Sequence, residues 1–328
     1  MSQMRKDVFS GEWVIFASNR KNKPYNYKRG SGIEEKEDNI CPFCPENENM
    51  TPPAVFELKD SNGWEIRVFD NMYPALNGQE FEKDSDSFYE SFNGFGIHEV
   101  IVDTPKHSMD IANASEEHLY RLLRVINQRL NKVLSNDMIE YVQVFKNNGP
   151  YAGASISHSH WQVLGVPVLT SEQEAAFTVF EKYRDKTDRC IMCDMIKHEK
   201  EAEKRIVKEN DFFVSFTPYA SRQSFEMWIV PKRHVQTMRE LSDDELKSLA
   251  GFLKDMLIRI ESIRKGISFN ICIQEKAKST KDGLFHWYIR LLPRIGSWAG
   301  FEYATRCFIN PVLPEYAAQF YRNAVNNK

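Results

Sequence analysis

An α+β fold built from two tandem repeats is what this chain predicts, and three observations carry the prediction. One order of elements occurs twice: a strand ending in Pro-Lys and a histidine, a helix, a strand, and a strand bearing histidine beside tryptophan. Each copy is accompanied by a C-x-x-C pair, Cys41-Pro42-Phe43-Cys44 and Cys190-Ile191-Met192-Cys193. The strand candidates are β-branched and aromatic, whereas the helix candidates place apolar residues at 3.6-residue spacing.

The elements follow in order. Residues 12–17 and 64–69 alternate as strands, and 98–107 is a strand closing on Pro105-Lys106-His107. Ser115 then opens a helix through Leu134, with Glu116 and Glu117 in its positive first turn and Leu119, Leu122, Leu123, Ile126, Leu130 and Val133 as its core stripe. Residues 139–146 and 160–163 complete the first copy. Near 167–171 an apolar strand gives way to a helix, where Ser171 with Glu174 has the spacing of a capping box. That places the repeats at 1–169 and 170–328, each expected to be an antiparallel sheet with a packed helix. In the second copy, strands are expected at 212–216 and at 225–234, which closes on Pro231-Lys232-Arg233-His234. Ser242 with Glu245 caps a helix to about Ile263, and strands at 267–275 and 286–289 follow. Residues 28–39 and 83–91 read as solvated loops, and 197–208 as a solvated helical face or hairpin arm. His118 and His198, in charged helical contexts, are expected to be exposed. Trp161 and Trp287 read as packing residues.

Composition narrows the function. With 328 residues, 42% of them hydrophobic and 27% charged, the chain is long enough for about two domains and a sizeable core. A net charge of −3 leaves no electrostatic footprint for nucleic acid or an anionic membrane. No run has signal-peptide or membrane-span character, so a cytoplasmic protein is expected. In a reducing compartment two C-x-x-C pairs are read as metal ligands or redox centres rather than disulfides.

The chemistry concentrates in Gly153-Ala154-Ser155-Ile156-Ser157-His158-Ser159-His160-Trp161-Gln162. Two histidines two residues apart on an extended segment can divide labour, because neutral imidazole is both a metal ligand and a nucleophile. Each repeat also supplies a Cys pair, a histidine at its Pro-Lys strand end and one on its Trp-bearing strand. The sets are Cys41, Cys44, His107 and His158, then Cys190, Cys193, His234 and His286. Cys2His2 suits tetrahedral Zn2+, and a site with all four positions filled is structural.

These residues resemble the galactose-1-phosphate uridylyltransferase family, a tandem branch of the histidine-triad superfamily. The resemblance runs through Gly11-Glu12-Trp13-Val14-Ile15, Ser18-Asn19-Arg20, the first C-x-x-C, Phe69-Asp70-Asn71-Met72-Tyr73-Pro74-Ala75-Leu76, His98-Glu99-Val100-Ile101-Val102, Phe145-Lys146-Asn147-Asn148-Gly149, the His158 to Gln162 run, Phe285-His286-Trp287, Ala299-Gly300-Phe301-Glu302 and Pro314-Glu315. It implies a ping-pong reaction on a nucleotide sugar and a sugar phosphate. His160 would attack the α-phosphorus of a UDP-sugar, expel the sugar 1-phosphate and hold the nucleotide until a hexose 1-phosphate takes it. By the same resemblance Ser155, Asn147 and Gln162 would contact the α-phosphate and Arg20 would add charge there. Asn71 would line the nucleoside pocket, Glu302 would bind hexose hydroxyls, and His158 would be a zinc ligand stiffening the nucleophile's loop. The family usually carries proline at the position of Ser159 and a small residue at that of Trp161, and Lys23 stands where many members have arginine. Ser159 is similar to the ADP-glucose phosphorylase branch, in which inorganic phosphate is the acceptor. That reading stays open, as does a zinc-stabilised nucleotide-binding protein without turnover. The resemblance also leaves room for a homodimer.

Overall fold

A computed structural model describes residues 3–7, 10–16, 40–76, 80, 88, 91 and 93–324. The expectations for Arg20, Lys23, 28–39 and most of 83–91 lie outside them. Along the chain come β1 Gln3–Lys6, β2 Trp13–Phe16, β3 Ala54–Asp60, β4 Gly63–Asp70, β5 Ile97–Val102, α1 Glu116–Leu134, β6 Tyr141–Asn148 and β7 His160–Val166. Then follow α2 Ser171–Thr187, α3 Ile191–Ala202, β8 Ile206–Glu209, β9 Phe213–Phe216, β10 Met227–Pro231, α4 Asp243–Glu261, β11 Phe269–Gln274, β12 Tyr288–Pro293, α5 Gly300–Thr305, β13 Phe308–Asn310 and α6 Pro314–Asn323.

The strands do not form one sheet per repeat. Ten of them build a single antiparallel sheet in the order β3-β4-β5-β7-β6-β11-β12-β10-β9-β8, while β1, β2 and β13 form a small separate one. The two repeats meet strand to strand at the β6–β11 seam, where Asn270 pairs with Asn147 and Ile273 with Val144. Joining there removes one open edge from each repeat, the ordinary hazard of an isolated antiparallel sheet.

Helices α1 and α4 lie side by side on one face of this sheet. The α1 stripe from Leu119 to Val133 and the α4 residues Leu249, Leu253 and Leu257 share one core with Trp161, Ile271, Ile289 and Leu291. Both tryptophans are within it, as packing predicts. On the opposite face α2 and α3 cover mainly the second repeat, burying Phe177, Phe180 and Met192 against Trp228, Val230 and Tyr288, and reach the first repeat at Tyr141. Over the first repeat that face carries a small cluster of Phe43, Phe69, Val100 and Val102.

Helix starts follow local chemistry. Ser242 and Glu245 form the expected reciprocal capping box, and the Ser115 hydroxyl accepts from the His118 amide. The box expected at Ser171 is absent. The helix begins one residue earlier, so Thr170 is the cap and Ser171 is already helical. His118 is buried, not exposed, because its ring spans the Asp103 carbonyl at 2.6 Å and the Glu65 carboxylate at 2.8 Å. No helix among the described residues is long and apolar enough to cross a membrane.

Candidate active site

The loop from β6 to β7 is shaped by two glycines with positive φ. Gly149 (φ 82°) approaches Ser268 so closely that a Cβ would lie 2.4 Å from the Ser268 hydroxyl, and Gly153 (φ 86°) turns the chain back. Ser155 is exposed on this loop. The chain then runs into His158 and His160, both buried.

His160 points its Nδ1 at its neighbour's backbone: the Nδ1–H donates to the His158 carbonyl at 2.8 Å. A carbonyl only accepts, so the ring proton sits on Nδ1 and the Nε2 lone pair is left for another partner. Burial pulls the imidazole below its ordinary range, partly opposed by that carbonyl, which keeps the ring neutral near neutral pH. Phe43, from the first C-x-x-C loop, stands edge-on to the His160 ring at 5.3 Å.

His158 is anchored in turn. Its Nε2–H donates to the Thr104 carbonyl at 2.7 Å, so Nδ1 faces the thiols. Cys44 Sγ lies 3.4 Å from His107 Nδ1 and 3.6 Å from His158 Nδ1, and Cys41 Sγ lies 3.6 Å from the latter. The second set repeats this arrangement. His286 donates to the Pro231 carbonyl at 3.1 Å, and Cys193 Sγ lies 3.5 Å from His286 Nδ1 and 3.6 Å from His234 Nδ1. Within each group all four candidate ligand atoms fall within 4.8 Å of one another, so both Cys2His2 sets are places where a metal ion could bind. Burial and then Cys41 push the Cys44 thiol up to about 11. In the second pair the hydrogen bond between the two sulfurs pushes Cys193 up and Cys190 down. Cys44 and Cys193 therefore keep their protons until a cation displaces them.

Behind the strand lies a buried network that the sequence reading did not include. Lys146, 1% exposed, donates to the Asp103 carboxylate at 3.1 Å, the Ser159 hydroxyl at 2.7 Å and the His160 carbonyl at 3.2 Å. Ser159 and the Trp161 indole also donate to Asp103, at 3.0 and 3.1 Å. A lysine and an aspartate inside otherwise apolar strands were the available signal.

On the open face, Gln162 Oε1 lies 2.8 Å from His98 Nε2 and Asn71 lies alongside. Asn147 is held across the seam by Asn270, whose amide donates to Asn147 Oδ1 at 2.7 Å. Arg294 bonds Asn270 in turn. His98 and Asn270 entered the sequence reading as strand residues without a site role and Arg294 not at all, because the bonds to Gln162 and Asn147 span 64 and 123 residues and Arg294 acts only through Asn270. Glu302 is not brought to this cluster: it caps its own helix, accepting from the Ala299 amide at 2.9 Å beside the small sheet.

The strand registers also correct the repeat alignment. Val100 faces Gln162, and Trp228 faces Arg290. His286 therefore matches His158, Trp287 matches Ser159, and Tyr288 stands in the place of His160. Arg290, in the place of Gln162, is tied to Glu226 at 3.2 Å and to Glu172 of α2 at 3.3 Å. In the second repeat the counterpart site is a small cavity under α2 whose cation, Arg290, is engaged by Glu226 and Glu172.

Comparison with known proteins agrees with this architecture. The N-terminal domain model of galactose-1-phosphate uridyl transferase matches residues 1–170, and the C-terminal domain model matches 176–288. An ADP-glucose phosphorylase of Arabidopsis thaliana is 32% identical over 98% of this chain and 92% of its own. A galactose-1-phosphate uridylyltransferase of Thermotoga maritima is 27% identical, with 97% of each chain covered. Among solved structures, the Arabidopsis thaliana ADP-glucose phosphorylase with bound ADP-glucose superposes with a TM-score of 0.84 at 30% identity, covering 98% of this chain and 99% of that one. This chain belongs to the galactose-1-phosphate uridyl transferase family.

Proposed function

We propose that this protein transfers a nucleoside monophosphate from a nucleotide sugar through a covalent nucleotidyl-His160. The observation that carries this reading is the His160 Nδ1–H bond to the His158 carbonyl at 2.8 Å, which leaves Nε2 as an uncharged nucleophile. As Nε2 bonds to the α-phosphorus, the bond from phosphorus to the bridging oxygen breaks and that oxygen keeps the electron pair as sugar 1-phosphate. The growing positive charge on the ring strengthens the Nδ1–H bond to the carbonyl. An acceptor phosphate oxygen then attacks phosphorus and the P–N bond breaks, restoring His160.

Gln162, Ser155, Asn147 and Arg20 are proposed to meet the α-phosphate, and Asn71 the nucleoside. Glu302 is proposed to bind hexose hydroxyls. Its place on α5, among the exposed Trp298, Phe301 and Tyr303, supports a homodimer in which a second copy supplies that surface. The two Cys2His2 sets are proposed to hold structural Zn2+. Zn–S near 2.3 Å and Zn–N near 2.0 Å give tetrahedral edges of about 3.3–3.8 Å, and the S···N separations of 3.4–3.8 Å fall in that range. Zinc would supply folding free energy and fix His158, whose carbonyl aims the nucleophile.

Two donor and acceptor pairs use this chemistry. The first is a UDP-sugar with a hexose 1-phosphate, as in the uridylyltransferase relatives. The second is an ADP-sugar with inorganic phosphate, favoured by the 32% identity to an ADP-glucose phosphorylase. Incubation with α-32P-labelled UDP-glucose or ADP-glucose should leave an acid-labile label that His160→Ala abolishes. Release by galactose 1-phosphate supports the first pair, and release by inorganic phosphate as a nucleoside diphosphate supports the second. Absence of label from every nucleotide sugar overturns the reading.

A further inference from the structure

We propose that His98 is a positioning residue that decides which end of the Gln162 side-chain amide faces the substrate. The inference rests on the nucleotidyl-transfer reading for its consequence, but its geometry stands on its own.

His98 lies on β5, two residues before Val100, whose register partner is Gln162. Its two ring nitrogens have different neighbours. Nδ1 receives the Ala75 backbone N–H at 3.1 Å. A backbone amide only donates, so Nδ1 must offer its lone pair and the ring proton must sit on Nε2. Nε2–H then donates to Gln162 Oε1 at 2.8 Å. The Asn71 amide nitrogen, 3.3 Å from the same ring nitrogen, is a second donor and makes no hydrogen bond there. Asn71 is itself pinned, because its Oδ1 accepts from the Tyr73 amide at 2.9 Å.

With Oε1 consumed by His98, the Gln162 amide has one orientation. Its NH2 group turns toward the open face that bears His160, where it can donate to a phosphoryl oxygen. The flipped amide would present a carbonyl oxygen to an anion. The second repeat has the complementary solution: Glu226, at the position of His98, accepts, and Arg290, at the position of Gln162, only donates. At this pair of positions donor and acceptor are matched in both repeats, with opposite polarity.

The test compares isosteres in the full-length protein. His98→Gln can restore a donor to Gln162, whereas His98→Glu offers only acceptors and would turn the Gln162 NH2 away from the site. His98→Leu offers neither. The rate of His160 labelling should fall about 10- to 100-fold in His98→Leu, fall further in His98→Glu, and recover in His98→Gln, with donor KM changed far less than kcat. The His98→Leu effect should vanish in a Gln162→Ala background. Equal rates for the Gln and Glu variants would overturn the proposal. A two-bond 1H–15N spectrum of the wild-type imidazoles gives a readout independent of activity: His98 should be the neutral Nε2–H tautomer, and an Nδ1–H tautomer would overturn the assignment. If wild-type protein never labels, the transfer reading falls while the tautomer measurement still decides the His98 geometry.

Discussion

Replacing Lys146 by methionine should destabilise the protein more than any surface substitution, because it removes the cation paired with a carboxylate that has left water. Lys146 and Asp103 are 1% and 2% exposed, and their pair is separated by 3.1 Å. After Lys146→Met the Asp103 carboxylate keeps the Ser159 hydroxyl and the Trp161 indole as donors, but its Oδ1 has no hydrogen-bond partner among the described residues. Breaking a buried pair on one side costs about 3–5 kcal/mol, which for a chain of this size lowers Tm by on the order of 10 °C. Urea unfolding with an unchanged m-value and a lowered midpoint would report it. Converting Asp103 as well, in Lys146→Met/Asp103→Asn, should restore part of the loss.

The pH dependence carries the sharper sign. Burial pushes the Asp103 carboxyl up, and Lys146 with the Ser159 hydroxyl more than reverses this, so the native group sits below the usual carboxylate range. Its contribution in the wild type is therefore present above the unfolded value of about 3.9 and lost as pH falls through the lower native one. In Lys146→Met burial, the largest cause, outweighs the remaining Ser159 and Trp161 hydrogen bonds, the native pKa rises above the unfolded one, and the sign inverts: the folded state binds the extra proton. The variant should then be less destabilised at pH 5 than at pH 8. A deficit below about 1 kcal/mol, or one that grows on acidification, would refute the reasoning.

Three further outcomes follow from the same geometry. Metal analysis should return two zinc ions per chain, and Cys44→Ser should lose His160 labelling along with stability, since His158 and Phe43 both hang on that group; labelling at wild-type rate in a metal-free Cys44→Ser protein would contradict the link. Ser242→Ala should cost about 1 kcal/mol in chemical denaturation, because the reciprocal bonds with Glu245 cap α4; no measurable loss would contradict it. Tyr288→His in a His160→Ala background should not regain nucleotide labelling, because Arg290 is already neutralised by Glu226 and Glu172 and those carboxylates repel a phosphate; label at position 288 would contradict it.

The Cys2His2 groups were legible in the sequence because C-x-x-C fixes two candidate ligands locally and each Pro-Lys strand end carries a third, His107 or His234, one or two residues on. His160 was legible for a similar reason: its partner, the His158 carbonyl, is two residues away. His98 was not, since its bond to Gln162 exists only through the β5–β7 register, although an alternating strand that puts His98, Val100 and Val102 on one face contained the hint. Pairing His160 with His286 by their adjacent tryptophans misled, because tryptophan serves packing on the α1 and α4 side in both repeats while standing one residue after His160 in one and one after His286, of the Cys2His2 set, in the other. The single ten-stranded sheet was illegible for a different reason. Whether two edge strands find each other is decided by tertiary docking, and nothing in 141–148 or 269–274 distinguishes a seam from an edge.

That seam explains why a repeat without its own nucleophile is retained in the fold. Asn147 sits directly opposite Asn270 in the β6–β11 register, and Asn270 is itself fixed by Arg294 and by the Ala152 carbonyl at 2.8 Å. The second repeat therefore holds both the amide proposed to meet the α-phosphate and the turn that leads into the His158–His160 run. Ser268, from the same repeat, packs against Gly149 and accepts from the Tyr151 amide at 3.3 Å. A first repeat cut free of the second would lose these constraints together with the shared core under α1 and α4, so the loop proposed to be catalytic is a property of both halves even though the proposed nucleophile belongs to one.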